Sequence, residues 1–547
     1  AVMVCTFGDK QDVVWMYRHK LPYIKSMDEF GKLENAGEFS GLKVKEAKEK
    51  IIEKYKKEGK LLSSKQISQT VKVHDRCTKP IELVNSHQWF AKITEKKDEI
   101  ISTAKEMKWI PEFAIAHLID WANYIEWDWV VSRQRIFGTP IPFWHCKKCN
   151  KIISPSQEEL PVNPPAIKKK CPDCNENAEG ETSVFDCWFD SSITPLIISK
   201  WNQDNEFFKK TFPSSLRPQG VEIIRTWAFY TIYRCKELTG QPCFKEILLN
   251  GNVLAPDGKK MSKSLGNVIM PDKLIDEYGA DSVRIWAALS GAMAKDRPFS
   301  FQDIKYAKSF LNKLLNAGKF VQKSIEKYKY NEEDEKHLRT IDKYFLHRLN
   351  EILSSSSSHW KNYEFHHIVK QIHDFFWHEF CDYYLEYAKY RIYSENSDMQ
   401  NSKLAAQYTL YTIYSNTLLL LTPITPHSCE ELWQIFSNPK QNSIQLQNYP
   451  SPKGKYSSPD SLPSGQLLAQ LVALLRQEKA SRKLALNAII KKLSLTLPPE
   501  KAKLISSIKN EFCAVGRIDE LKIINGKEIK LNGEWPKPEE KQEKESG

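Results

Sequence analysis

The rhythm of apolar and polar positions changes along this chain. Over residues 43–57 (KVKEAKEKIIEKYKK), Val44, Ala47, Ile51 and Ile52 recur at helical spacing with charges between them. That spacing predicts one amphipathic helix within an N-terminal stretch, residues 1 to about 90, of short strand-like runs. The opening run, residues 1–7, reads as a buried strand without a lead-in. A tryptophan-rich stretch follows from about 91, ending in the turn-rich Gly138-Thr139-Pro140-Ile141-Pro142. From 181 to 300, helical and strand-like runs alternate, the signature of an α/β unit.

Beyond residue 301, long amphipathic stretches at 306–328, 341–353 and 363–393 predict a helical bundle extending to about 440. The five serines at 354–358 are expected to break two of its helices. Residues 441–464, rich in Pro, Ser and Asn, read as a linker. Helical spacing returns at 465–484 and a strand pattern at 491–497, so 465–536 is expected to be a small α+β module. The charged tail 537–547 reads as disordered. The expected fold class is therefore α/β plus all-α.

Composition adds modest constraints. Of 547 residues, 41% are hydrophobic and 27% charged, as in ordinary soluble proteins. Lys and Arg outnumber Asp and Glu by 80 to 68, a net charge of +12 that suits a polyanionic partner without demanding one. No run approaches the ~20 apolar residues of a membrane span. The N-terminus has no basic lead-in for a signal peptide. A cytoplasmic protein is expected.

Of the 12 cysteines, four form two Cys-x-x-Cys pairs, Cys146/Cys149 and Cys171/Cys174, in an insert spanning 143–176. Each such turn offers two thiolates, and two turns complete a tetrahedral Zn2+ shell. With four protein ligands no position remains for a reactive water, so the expected zinc is structural. His74 and Cys77 form only a half-site.

Candidate phosphate chemistry lies in Gly258-Lys259-Lys260-Met261-Ser262-Lys263-Ser264-Leu265-Gly266-Asn267. A buried strand is expected over 244–254, and Pro256-Asp257-Gly258 turns the chain. Lysines on a Gly-flanked loop at a strand's end can neutralise a polyphosphate, with hydroxyls and backbone amides adding hydrogen bonds.

The string KMSKS, preceded by LLNGNVLAPDG and followed by LGNVIMPDKLIDEYGADSVRIW, resembles the second signature loop of class I aminoacyl-tRNA synthetases. WDWVVSRQRIFGTPIPFWHC, VFDCWFDSS and RPQGVEIIRTWAFYTIYR are similar to the subgroup handling valine, isoleucine and leucine, and most resemble its archaeal-type valine-specific members. The resemblance runs from residue 1 to about 530. It implies the second half of a Rossmann-like catalytic domain, then a helical anticodon-binding domain.

For the site, the resemblance implies ATP binding by Gly251, Asn252, Lys260, Met261, Ser262, Lys263 and Ser264, with Lys260 and Lys263 acting on the triphosphate together with Mg2+. Trp188 and Ile223 are expected against the amino-acid side chain and Glu222 near its ammonium group. Many relatives outside the archaeal type carry Asp where Glu222 stands, and Val221 occupies a position where a histidine is expected. Asp9 and Asp12 match the final part of an editing domain, whose threonine-rich front half is missing. A His-x-Gly-His ATP signature is also missing, so the resemblance implies that half of the nucleotide fold precedes residue 1. The chain then reads as a truncated or split ligase whose partners are valine, ATP, tRNA(Val) and, if split, a separate N-terminal fragment; it is expected to be a monomer.

DKYFLHRLNEI, FFWHEFCDYYLEYAK and LTPITPHSCEELWQ resemble the anticodon-binding domain, with most of Phe375, Phe376, Trp377, Phe380 and Tyr384 expected in its core. An isoleucine-specific ligase and a non-catalytic tRNA-binding fragment are the alternative readings.

Overall fold

The structure, a computed structural model, describes residues 10–68, 70–74, 77–82, 84, 86–436 and 442–536. The chain divides into two compact units, Ala1–Asp98 with Ile125–Ile193 and Glu99–Tyr124 with Thr194–Gly547. The strand expected over 1–7 and the tail 537–547 lie outside the described residues.

In the first unit, the helix Val44–Lys57 forms where its apolar spacing predicts. The Glu46 carboxylate accepts from the Lys43 backbone N–H at its start, and Lys54, Lys56 and Lys57 lie at its C-terminal end, where the helix dipole favours cations. Short antiparallel pairs, Phe90–Ala91 with Trp129–Val130 and Ser132–Arg133 with Val184–Phe185, build the rest around a cysteine-bearing insert. That insert is a four-stranded antiparallel sheet in the order Ile152–Ile153, Trp144–His145, Asn177–Gly180, Lys169–Lys170. Trp144 is fully buried at its centre, with the Lys169 ammonium 4.5 Å from its ring.

The second unit opens on a parallel sheet in which Phe244–Asn250 lies between Ser214–Gly220 and Lys108–Ile110. Ile247, Leu248 and Leu249 are all buried. Such continuous burial is what a parallel strand covered on both faces requires. The helix Phe229–Thr239 crosses between the first two strands and ends on Gly240, whose φ of +73° is the left-handed geometry of a helix stop.

The helical region comprises Phe301–Ile325, Thr340–Lys361, Phe365–His373, Leu385–Ile392, Gln400–Leu421 and Pro426–Phe436. Between His373 and Leu385 the helix continues in π form over Asp374–Tyr384. Phe375, Phe376, Phe380 and Tyr384 are buried in its core, while Trp377 is partly buried against it. At the centre, the fully buried Arg391 guanidinium makes 2.7 and 2.8 Å bonds to Asp342, and the Tyr384 hydroxyl donates to the same carboxylate at 2.6 Å.

Two expectations need correction. The serines at 354–358 do not break a helix, because Thr340–Lys361 runs through them. The Ser354 hydroxyl returns to the Asn350 carbonyl at 3.0 Å, and Ser356 is fully buried. Residues 442–464 are no free linker either. Ile444 and Tyr456 are buried in the bundle core, and the backbone N–H groups of Lys453 and Ser458 donate to Asn350 and His347.

The C-terminal part is the helix Leu462–Ser481 and a three-stranded sheet. Ile490–Leu497 pairs in parallel with Ile518–Asn525 and antiparallel with Lys530–Gly533. Its apolar side joins the helical bundle in one continuous core, from Ile285 through Leu471 to Ile518.

Candidate functional site

Where the central strand Phe244–Asn250 ends, the backbone passes close to a neighbouring segment. A Cβ on Gly251 would stand 2.0 Å from the Lys295 carbonyl oxygen, so this position admits glycine alone. Asn252 is held there by Asp296, whose carboxylate accepts from its backbone N–H at 2.7 Å and its side chain at 3.2 Å. The strand Val253–Leu254 follows, pairing in parallel with Arg297–Pro298.

The lysine loop begins at the turn closed by Gly258, whose φ is +79° and whose N–H donates to Ala255. Met261 packs against the cluster of Leu274, Tyr278, Trp286, Phe299 and Ile304, anchoring the loop's middle. Lys263–Leu265, which contains Ser264, forms a single 3-10 turn that Gly266 closes at φ +64°. Asn267 staples the two ends. Its side-chain oxygen accepts from the Ser262 backbone N–H at 2.8 Å, and its amide donates to the Lys260 carbonyl at 3.2 Å.

Lys260 and Lys263 are exposed, and among the described residues neither ammonium is paired with a carboxylate. Their neighbour Lys259 is instead tied to Asp257 at 3.4 Å. Two uncompensated cations on a braced loop make a site for polyanionic oxygens.

Glu222 and Ile223 occupy the turn directly after the strand Ser214–Gly220. Gly220 is in register with Asn250, so Glu222 and Gly251 leave the same, C-terminal end of adjacent parallel strands, where open α/β sheets bind ligands. The Glu222 carboxylate folds back over Gly220, close enough that a Cβ there would stand 2.3 Å from its oxygen. Glu222 is exposed and Ile223 half-buried.

Trp188 belongs to the first unit. It lies in the first turn of the helix Cys187–Ser191, whose cap is the Asp186 carboxylate accepting from the Trp188 backbone N–H at 3.1 Å. Asp186 is in turn bound by the Arg133 guanidinium and the Trp129 indole. Asp186, Asp296 and Asn267 escape a reading of the sequence because they act on backbone rather than on ligand. Only their place beside the motifs marks them.

The four cysteines of the insert do come together. Their sulfur atoms lie within 4.8 Å of one another, with individual separations of 3.4, 3.5 and 3.7 Å. Tetrahedral zinc thiolates with ~2.3 Å bonds have edges of ~3.8 Å, so this donor set fits the ion. The two knuckles repeat one geometry, with Asn150 and Asn175 at φ +57° and +59° after their second cysteines. The backbone N–H groups of Cys149 and Lys148 hold the Cys146 thiol down, while hydrogen bonds among the neighbouring sulfurs push Cys149 and Cys174 up, as expected of thiols crowded into one cluster. His74 and Cys77 are exposed and lie outside this cluster.

Of the two residues expected from sequence to belong to an editing site, Asp12 sits in the first turn of the helix Lys10–His19. Asp9 lies outside the described residues.

A parallel sheet with its ligand-facing loops at one end, a stapled KMSKS loop and a following helical domain together define a class I synthetase core. A family model for class I tRNA synthetases of the I, L, M and V group matches residues 27–300, half of the chain, and the chain belongs to this family. The anticodon-binding domain of tRNA ligases matches residues 342–494.

Its relatives include the valine–tRNA ligases of Pyrococcus furiosus, 40% identical over 542 residues, and Pyrococcus horikoshii, 41% identical over 542. That of Methanocaldococcus jannaschii is 41% identical over 532 residues. Each alignment covers 96% of this chain and 60% of the relative, so the chain spans about three fifths of their length. Among solved structures, Mycobacterium tuberculosis methionyl-tRNA synthetase bound by methionyl-adenylate shares the fold, with a TM-score of 0.51 at 16% identity, covering 71% of this chain and 72% of that one. The Agrobacterium radiobacter K84 LeuRS–tRNA–LeuAMS complex gives 0.50 at 21% identity, covering 61% and 43%.

Proposed function

We propose that this chain is the portion of a valine–tRNA ligase that carries the second half of the ATP site and the anticodon-binding domain. In the complete enzyme the valine carboxylate attacks the α-phosphorus of ATP, pyrophosphate leaves, and the valyl group passes to tRNA(Val). Lys260 and Lys263 meet charge that grows on the departing phosphate oxygens, so they act most strongly in the transition state. Mg2+, when bound, shares that neutralisation. Gly251 and Asn252 let the nucleotide approach the backbone, and Ser262 and Ser264 add hydroxyls. Glu222 pairs with the substrate ammonium, which would otherwise be desolvated at a cost. Trp188 and Ile223 are each assigned to the recognition of the amino-acid side chain.

The braced lysine loop beside Gly251 and Glu222 is the observation that carries this reading, and the valine-specific relatives select the substrate. Cys146, Cys149, Cys171 and Cys174 would hold one structural Zn2+. Asp9 and Asp12 would belong to the hydrolysis of mischarged threonine, a near-isostere that a valine pocket alone rejects poorly. Amino-acid activation also needs the first half of the ATP site, carried either on the same polypeptide or, if the enzyme is split, on a separate N-terminal fragment; the protein is otherwise taken as monomeric and cytoplasmic.

Valine-dependent ATP–pyrophosphate exchange tests this directly. Exchange is expected once both halves of the ATP site are present, exchange only on adding an N-terminal partner would mark a split enzyme, and Lys263→Ala is expected to abolish exchange while leaving tRNA binding intact. Isoleucine-dependent exchange would replace the substrate assignment. Binding of tRNA with no exchange under any pairing would leave only the non-catalytic reading.

A further inference from the structure

Apart from the cysteines, one group of metal-ligating side chains gathers among the described residues. His373, Asp374 and His378 place one ligand atom each within 4.8 Å of the others. They stand where the helix Phe365–His373 passes into the π-helical segment Asp374–Tyr384. Residues five apart diverge by ~140° on an α-helix. The i→i+5 bonding of a π-helix instead stacks them, and such segments concentrate at functional sites. The unusual backbone therefore brings His378 over His373, with ring centroids 5.6 Å apart.

We propose that His373, Asp374 and His378 form a binding site for a divalent transition-metal ion of the Zn2+ class. Two imidazoles and a carboxylate suit that class, and three protein ligands leave a coordination position open. The Asp374 carboxylate lies 3.1 Å from His373 Nδ1. Tetrahedral bonds of ~2.1 Å need ligand atoms ~3.4 Å apart. His373 is buried and fixed against Tyr306, Phe310 and Trp377, so the exposed Asp374 and His378 side chains make the remaining adjustment by rotation.

The surroundings support the ligand roles. The Tyr306 hydroxyl lies 2.6 Å from His373 Nε2 and 2.9 Å from Nδ1, and this contact holds the imidazole in orientation. Asp382 lies 3.5 Å from His378 Nδ1 and adds negative charge at the rim. Lys313 is its counter-charge, 3.4 Å from Asp382. Together Asp374 and Asp382 outweigh that single cation.

The whole chain, first loaded with one equivalent of Zn2+ for the cysteines, can be titrated with Co2+. A second equivalent is expected to bind with visible ligand-field absorption and without the thiolate-to-cobalt charge-transfer band that the cysteines would produce. Asp374→Ala and His378→Ala alter exposed side chains and should each weaken this second site by more than ~10-fold. His117→Ala, on an exposed helix position elsewhere, should leave it unchanged. Absence of a second equivalent overturns the proposal. So does a second equivalent that carries the thiolate band or survives both variants.

Discussion

Asn267 supplies neither charge nor catalysis, yet its side chain joins Ser262 to Lys260 across the lysine loop. Asn267→Ala removes both bonds while leaving Lys260 and Lys263 in place. We expect ~10-fold slower exchange in the complete ligase proposed above, the loss of about one charge-positioning hydrogen bond, with unchanged circular dichroism. The lysine loop was picked out from sequence by its KMSKS string, since lysines on a glycine-flanked turn are by themselves ordinary solvated surface. Asn267 and Asp296 were not, because an amide or carboxylate that orients backbone leaves no periodic trace.

Glu181 makes a pH prediction at the same scale. Burial pushes its carboxyl up, but hydrogen bonds from the Trp89 indole, Ser183 and His145 outweigh this and hold it down at about 2. Against an ordinary value of 4.5, the folded state binds its proton more weakly than the unfolded state. Its stabilisation is therefore complete above about 4.5 and is lost as pH falls toward about 2, a contribution of up to ~3 kcal/mol. Acid unfolding of the protein should be shallower over that interval in Glu181→Gln than in the unaltered chain; equal slopes would remove Glu181 from the account.

At the level of elements, the serine run shows why local composition misleads. Serine costs only a few tenths of a kcal/mol in a helix interior, and its hydroxyl can satisfy itself on the preceding turn. Packing of Ile352, Leu353 and Ser356 inside the bundle settles the matter. Ser355→Pro should thus cost about 3 kcal/mol or more in chemical denaturation, where a true helix break would tolerate it. The strand Ile490–Leu497 was legible by contrast, because buried Leu493, Leu495 and Leu497 alternate with more exposed neighbours.

The cysteine knuckles also act as an element. Strands of two to four residues cannot hold a sheet by hydrogen bonding alone. A chelator should therefore release amide protection across 144–180 in hydrogen exchange, and Cys174→Ser should do the same without one. Retained protection in both cases would exclude a structural metal.

Over the whole molecule, the sequence divided the C-terminal half into bundle, linker and module, while the packed structure joins them. Proline- and serine-rich composition marks a stretch as irregular in backbone, which residues 442–464 largely are. It says nothing about whether the irregular chain is packed, and here Ile444 and Tyr456 anchor it. Leu471 is fully buried in the helix that serves both parts. Leu471→Ala is expected to cost about 2–5 kcal/mol and to shift the melting of helices and sheet together. Two separate transitions would show that the module folds alone.

That shared core bears on how any role of the C-terminal sheet must be sought. Cutting the chain before Leu462 would strip a wall from the helical bundle and send its loss of order into every downstream assay. A deletion series would then register vanished nucleic-acid affinity and credit it to a recognition surface that had merely ceased to be folded. Substitutions on the outward strand, at Lys522 or the exposed Ile523 and Ile524, keep the wall standing and ask the question cleanly.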